Sequence, residues 1–162
     1  MEPQIIPYQG RDLHITWQSL PFIPPLERVT QVYGVCFTST QQIVLICVDN
    51  DYWNLPGGTV EANETMPQTL TREVWEEACA QVEQCQYIGC QRVDDPDAPG
   101  GPTFYYQARY WARVTLAPFV PEFETVARKL VAPTDFLAQL SWGHAPIAQI
   151  LLDRSLEIEH SI

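Results

Sequence analysis

The sequence predicts an α+β or α/β sandwich. Three observations point there. Two strand-like runs precede one amphipathic helix, two more follow it, and two helical stretches close the chain. No repeat and no composition shift divides the 162 residues, so one domain spanning 1–162 is expected, with residues 1–30 an N-terminal extension of uncertain structure.

In that extension, Leu13 to Trp17 alternates like a strand, and Pro21, Pro24 and Pro25 then interrupt it. Gln31 to Thr38 and Gln42 to Val48 are rich in Val, Ile and Cys, and the three-residue link between them predicts a buried hairpin. Asp49 to Gly58 reads as a turn, with Asn50-Asp51 and Pro56-Gly57-Gly58. Thr65 and Gln68 stand at capping-box spacing, Pro67 suits a first helical turn, and Met66, Leu70 and Val74 recur every four residues, which predicts a helix over 66–80.

Gln86 to Val93 reads as a strand and Asp94 to Pro102 as a loop. Thr103 to Thr115 reads as a long strand with two unlike faces. Phe104, Tyr106, Ala108, Tyr110, Ala112 and Val114 lie on one face; Tyr105, Gln107, Arg109, Trp111 and Arg113 lie on the other. A proline-broken loop holding Glu122 and Glu124 follows, then helices at about 134–140 and 145–159.

Twenty acidic and nine basic residues give a formal charge of −11, which repels a phosphate backbone and argues against a nucleic-acid polymer as partner. An acidic chain still takes an anionic substrate when a divalent cation lies between them. No stretch approaches a membrane span, and Met1 to Gly10 lacks the apolar core of a signal peptide. Five cysteines in no zinc-like spacing read as reduced thiols, and the expected location is cytoplasmic.

Glu73, Glu76 and Glu77 stand at i, i+3 and i+4, which puts three carboxylates on one helix face. Such like-charge pairs cost about 0.2–0.5 kcal/mol each. Arg72 can pair with Glu76 and leaves two acids without a local partner. Magnesium suits the remainder, since it takes one or two carboxylates, keeps waters and accepts phosphate oxygens. Taken alone, the run also fits a solvated helix face. Upstream, Gly57 and Gly58 let a backbone turn sharply and approach a ligand closely.

Together Gly58, Glu64, Arg72, Glu73, Val74, Glu76, Glu77 and Ala80 resemble the Nudix box, a 23-residue pattern of the Nudix hydrolase family. Six strict matches at that spacing arise by chance on the order of 10⁻⁵ times per chain of this length. Cys79 departs from the pattern, which has glycine there. That glycine ends the helix in a left-handed conformation, so the helix is expected to run on or end differently. Cys79 itself reads as a buried small hydrophobe.

The resemblance implies an α/β/α sandwich with a mixed central sheet. It implies a Mg2+ (or Mn2+) site of Glu73, Glu76, Glu77 and the Gly57 carbonyl. Glu64 would brace Arg72, which orients the acids. It further implies cleavage of the phosphoanhydride bond of a nucleoside diphosphate linked to another moiety. The general base would be Glu73 first, with Glu122 and Glu124 next. The alternative is a non-catalytic module that binds nucleotides on the same fold; retention of every box glutamate weighs against it. For substrate contacts the expected residues are Arg109, Arg113, Trp53 and Tyr52, although the face carrying both arginines fits equally well under the C-terminal helices. Pro96 matches an ADP-ribose pyrophosphatase spacing weakly, and His144 reads as a local hydrogen-bonding residue. Family members are often dimers, so a homodimer, even one exchanging an N-terminal strand, is conceivable.

Overall fold

A computed structural model describes residues 2–162. Its centre is a nine-stranded mixed sheet: β1 (Gln4–Tyr8), β2 (Arg11–Ser19), β3 (Val29–Phe37), β4 (Ile43–Cys47), β5 (Trp53–Asn54), β6 (Gly57–Thr59), β7 (Ala80–Asp95), β8 (Thr103–Leu116) and β9 (Ala127–Val131). The main path runs β1-β2-β7-β8-β3-β4-β5, with β6 against β3 and β9 against β4. β3 and β8 run parallel; the other paired strands are antiparallel.

Alternation along β3 and β8 sorts the core into two clusters, one on each face of the sheet. Val32, Cys36, Tyr106, Ala108, Tyr110 and Ala112 pack with Leu70, Val74 and Ala78 of α1 (Met66–Ala78). Val35, Phe37 and Trp111 pack with Phe136 of α2 (Phe136–Gln139) and with Ala148 and Leu151 of α3 (Pro146–Glu159). Each fully buried Leu or Phe stabilises by about 1.5–3 kcal/mol. Helices therefore cover both faces, as the sandwich expectation requires.

The expected helix is present and slightly shorter. Thr65 accepts from the Gln68 amide and Gln68 returns the bond to the Thr65 amide, completing the capping box. The helix does not run on past Ala78. Cys79 adopts the left-handed conformation usually left to glycine, φ 50° and ψ 45°, with its N–H on the Trp75 carbonyl. Arg128 bonds the Ala78 carbonyl at 2.8 Å and the Ala117 carbonyl at 2.9 Å, placing a cation at the negative helix end. Cys79 is half-buried rather than buried, and its Sγ lies 3.5 Å from the Val120 carbonyl.

Other expectations need correction. Residues 4–19 form a hairpin whose second strand extends the sheet at β7. The expected 49–58 turn contains β5 and ends in β6, which hydrogen-bonds to β3. β7 begins at Ala80, six residues before the expected start, because its polar first half still pairs with β8 through two register shifts. β9 was hidden in the expected loop, and α2 is a short turn preceded by a 3-10 segment.

Glu159 closes the molecule. It is 4% exposed, accepts from Trp111 Nε1 at 2.9 Å, and bonds Arg113 through both oxygens at 2.7 and 2.8 Å. Removing it leaves the Trp111 N–H without an acceptor and Arg113 without a carboxylate partner, although Arg113 keeps 21% exposure and its bond to the Thr38 carbonyl. Glu159→Ala is therefore expected to cost about 2–4 kcal/mol in urea unfolding. A loss below about 0.5 kcal/mol would contradict this role.

Candidate active site

The capping box fixes where α1 starts, and Leu70, Val74 and Ala78 fix its rotation against the sheet. Glu73, Glu76 and Glu77 consequently line one open cavity of about 390 Å³. Its other walls are Gly57 to Thr59, Gln31 and Tyr33 of β3, and Phe123 and Glu124 of the late loop.

Arg72 organises this wall. Its Nε bonds Glu64 Oε2 at 2.7 Å and its Nη2 bonds Glu64 Oε1 at 3.0 Å, a two-point grip. Nη2 also bonds the Thr59 carbonyl at 2.8 Å, tying β6 to the helix. Nη1 reaches Glu73 Oε1 at 2.9 Å and Glu76 Oε2 at 3.4 Å. Glu64 further accepts from the Glu61 amide and the Thr69 hydroxyl, each at 2.9 Å. These donors, Arg72 foremost, hold the Glu64 carboxyl down at about 2.

The glycines have a steric role. A Cβ on Gly58 would sit 2.5 Å from the Glu73 carboxyl carbon, so a side chain there would evict the acid. The Gly57 N–H donates to Glu77 Oε1 at 2.8 Å.

Burial raises the Glu73 carboxyl above its ordinary range despite Arg72. Glu77 has no arginine partner. Burial first, then Glu73, Glu124 and Glu76, push its carboxyl up to about 7; only the Gly57 amide opposes them.

Among the described residues, no three acidic, histidine or cysteine side chains converge closely enough to form a preassembled metal cluster. The cause is visible: Arg72 draws Glu73 and Glu76 toward itself, while Glu77 turns to Gly57. The donor set nonetheless fits a hard cation. Glu73 Oε2, Glu76 Oε1 and Glu77 Oε2 make no hydrogen bond to any described residue, and a cation would relieve the repulsion that Glu77 meets in its ionised form.

The remaining expected residues separate. Both late-loop acids are exposed, and Glu124 lines the acidic cavity whereas Glu122 does not. Arg109, Tyr52 and His144 line a neighbouring cavity. Arg113 lines neither, since Glu159 and the Thr38 carbonyl occupy it beneath α3; the expectation that it meets substrate is corrected in favour of the covered-face alternative. Trp53 also lines neither: its Nε1 bonds Asp51 Oδ1 at 2.8 Å and Lys129 Nζ sits 4.1 Å from its ring centre. Pro96 is an exposed turn residue. Gln31, Tyr33 and Phe123 were not foreseen at the acidic cavity. For the first two, the parity of β3 was the available signal.

Residues 28–151 match the NUDIX domain family. A MutT-like protein of Streptomyces ambofaciens is 40% identical over 67 residues, 41% of this chain and 43% of that protein. An 8-oxo-dGTP diphosphatase of Proteus vulgaris is 44% identical over 46 residues, 28% of this chain and 41% of that protein. The chain thus spans about two fifths of the length of each relative. Among solved structures, a mutant of the Bacillus subtilis pyrophosphohydrolase BsRppH superposes with a TM-score of 0.71 at 21% identity, covering 97% of both chains. The NUDIX domain of Shewanella oneidensis NrtR, in complex with ADP ribose, gives 0.57 at 19% identity over 80% of this chain and 87% of that one. At these identities the structural likeness establishes the fold.

The raised Glu77 carboxyl has a pH signature. Between about 4.5 and about 7 the folded chain keeps a proton that the unfolded chain has released, so this group's contribution to stability falls as pH rises through that window. A bound cation reverses the loss. Millimolar Mg2+ should therefore raise the melting temperature more at pH 8 than at pH 5.5. Glu77→Gln should melt higher than the parent at pH 8 without metal and gain little from Mg2+. An equal Mg2+ shift at both pH values would contradict this account.

Proposed function

The chain belongs to the Nudix family, and from that premise we propose that it is a Mg2+-dependent (or Mn2+-dependent) pyrophosphohydrolase that cleaves the phosphoanhydride bond of a nucleoside diphosphate linked to another moiety. The observation that carries the proposal is the acidic cavity. Glu73, Glu76, Glu77 and Glu124 face one space, and the adjacent cation, Arg72, is already committed to Glu64, Glu73, Glu76 and Thr59. A pyrophosphate enters such a space only with metal.

Glu73, Glu76, Glu77 and the Gly57 carbonyl are the groups that would hold the ion. When bound, it neutralises the pyrophosphate and lowers the pKa of the attacking water. Glu73 is the proposed base: Arg72 fixes Oε1, and Oε2 is free to take a proton from that water. The water oxygen forms a new bond to phosphorus and the anhydride P–O bond breaks, yielding two phosphate esters. Glu124, on the loop with exposed Phe123, lines the same space and is the second candidate base. Arg72 acts through the acids, and Glu64 acts through Arg72.

Five free cysteines accord with a reducing, cytoplasmic setting, and no helix among the described residues is long and apolar enough to cross a membrane. The N-terminal hairpin belongs to the same proposed unit, since β2 hydrogen-bonds to β7 along six residue pairs.

Incubation with Mg2+ and a panel of nucleoside-diphosphate derivatives and triphosphates, resolved by ion-exchange chromatography, tests the proposal. One substrate class should be cleaved. Glu76→Gln and Glu77→Gln should lower kcat at least ~10²-fold with the fold intact, because metal-borne charge stabilisation is worth several kcal/mol. Glu64→Gln should cost about 10–100-fold, as loss of an outer brace does. Full activity in both box variants would refute the mechanism, and silence across the panel with nucleotide binding retained would favour the binding module.

A further inference from the structure

Beside the acidic cavity lies a second one, of about 440 Å³, with a different character. Its walls include Ile5 and Ile6 of β1, Ile15 of β2, Tyr52, Trp142 and Ile147, and it contains no acidic residue. Paired residues of β3 and β8 line the two cavities. Gln31 and Tyr33 face the acidic one, and their β8 neighbours Gln107 and Arg109 face the other.

Arg109 is the unusual member. It is 5% exposed and has no carboxylate partner. Its guanidinium lies 4.8 Å from the Tyr33 ring centre, donates to Gln91 Oε1, and makes a long 3.3 Å bond to the Ala108 carbonyl. Nε has no partner among the described residues. Burial presses its pKa down to about 10, which still leaves a full cation at neutral pH. A buried cation with unused donors costs stability unless a ligand completes it.

We propose that this cavity seats the base of the nucleotide, and that Arg109 makes it select the 6-oxopurine edge. The proposal deepens the nucleotide-substrate reading above and rests on it. Apolar and aromatic walls suit the two faces of a flat heterocycle, and a lone phosphate has no use for them. A guanidinium only donates, so Gln91 must turn its oxygen to Arg109, and its amide nitrogen remains a further donor. The matching ligand edge carries two adjacent acceptors, as O6 and N7 of a 6-oxopurine do. Adenine sets an amino donor beside N7, opposite a group that cannot accept. Gln107 spends its amide N–H on Gln31 at 2.6 Å and leaves Oε1 as an acceptor for a ring N–H.

Calorimetric titration of the full chain with GMP, IMP, AMP and ribose 5-phosphate, all in the same millimolar Mg2+, tests this. GMP and IMP should bind at least ~10-fold more tightly than AMP, the scale of a bidentate contact. Arg109→Met should bring the three within about twofold and leave ribose 5-phosphate unchanged. It should also melt no lower than the parent, because it removes an uncompensated charge at similar volume. Arg109→Lys keeps the charge and loses the fork, so it should lose the preference too. Four outcomes would overturn the proposal: no GMP binding at millimolar concentration, AMP binding as well as GMP, the preference surviving in both variants, or ribose 5-phosphate weakening as much as GMP in Arg109→Met. Discrimination without cleavage of any substrate defeats the hydrolase reading alone; cleavage without discrimination defeats this inference alone.

Discussion

Arg72 lies within 4 Å of four carboxylates, those of Glu61, Glu64, Glu73 and Glu76. The geometry of the site depends on this one guanidinium. Its strongest contact, the paired bonds to Glu64, joins the helix to the loop before it, and its bond to the Thr59 carbonyl joins both to β6. Without that hub, the acids of α1 would repel one another and the loop that delivers Gly57 and Gly58 would lose its anchor. Glu77 is the helix acid it does not hold, and Glu77 is the acid whose charge the protein tolerates least. Any cation brought to this wall would meet Glu77 as its least compensated acid.

The central position of β3 sets the site beside the second cavity. It bonds β6, which carries the glycine loop, on one side, and β8, which carries Gln107 and Arg109, on the other. Tyr33 stands at the boundary, touching the acidic cavity while Arg109 stacks on its ring. The walls of the two cavities are thus mounted on paired residues of two parallel strands, Gln31 and Tyr33 on one and Gln107 and Arg109 on the other.

Much of the site was legible because it is local. The capping box, the apolar stripe of α1 and the i, i+3, i+4 acids are all set by helical periodicity within 13 residues. The sandwich followed from the order of periodic segments. What escaped depended on distant pairing. β9 is a five-residue strand that only β4 makes a strand, and the first half of β7 is too polar to stand out without β8 beside it. Arg109 and Arg113 share a strand face and look alike in sequence. Glu159, 46 residues on, takes Arg113 out of play, while Arg109 opens onto a cavity built from β1, β2 and the 142–147 segment. Glu122 and Glu124 likewise look alike in sequence, and only the path of the loop puts Glu124 at the rim of the acidic cavity. Cys79 shows the converse limit: the position demands a left-handed residue, and the fold imposes it on a cysteine.

The central claim is that the acids of α1 and the Gly57 loop form a cation site. Electron paramagnetic resonance of Mn2+ titrated into the full chain at pH 8 measures this without requiring a substrate. The account predicts that the free-ion signal is suppressed up to saturation of the parent protein and persists in the Glu77→Gln variant. A free-ion signal undiminished by the parent, or equally diminished by both proteins, would contradict it.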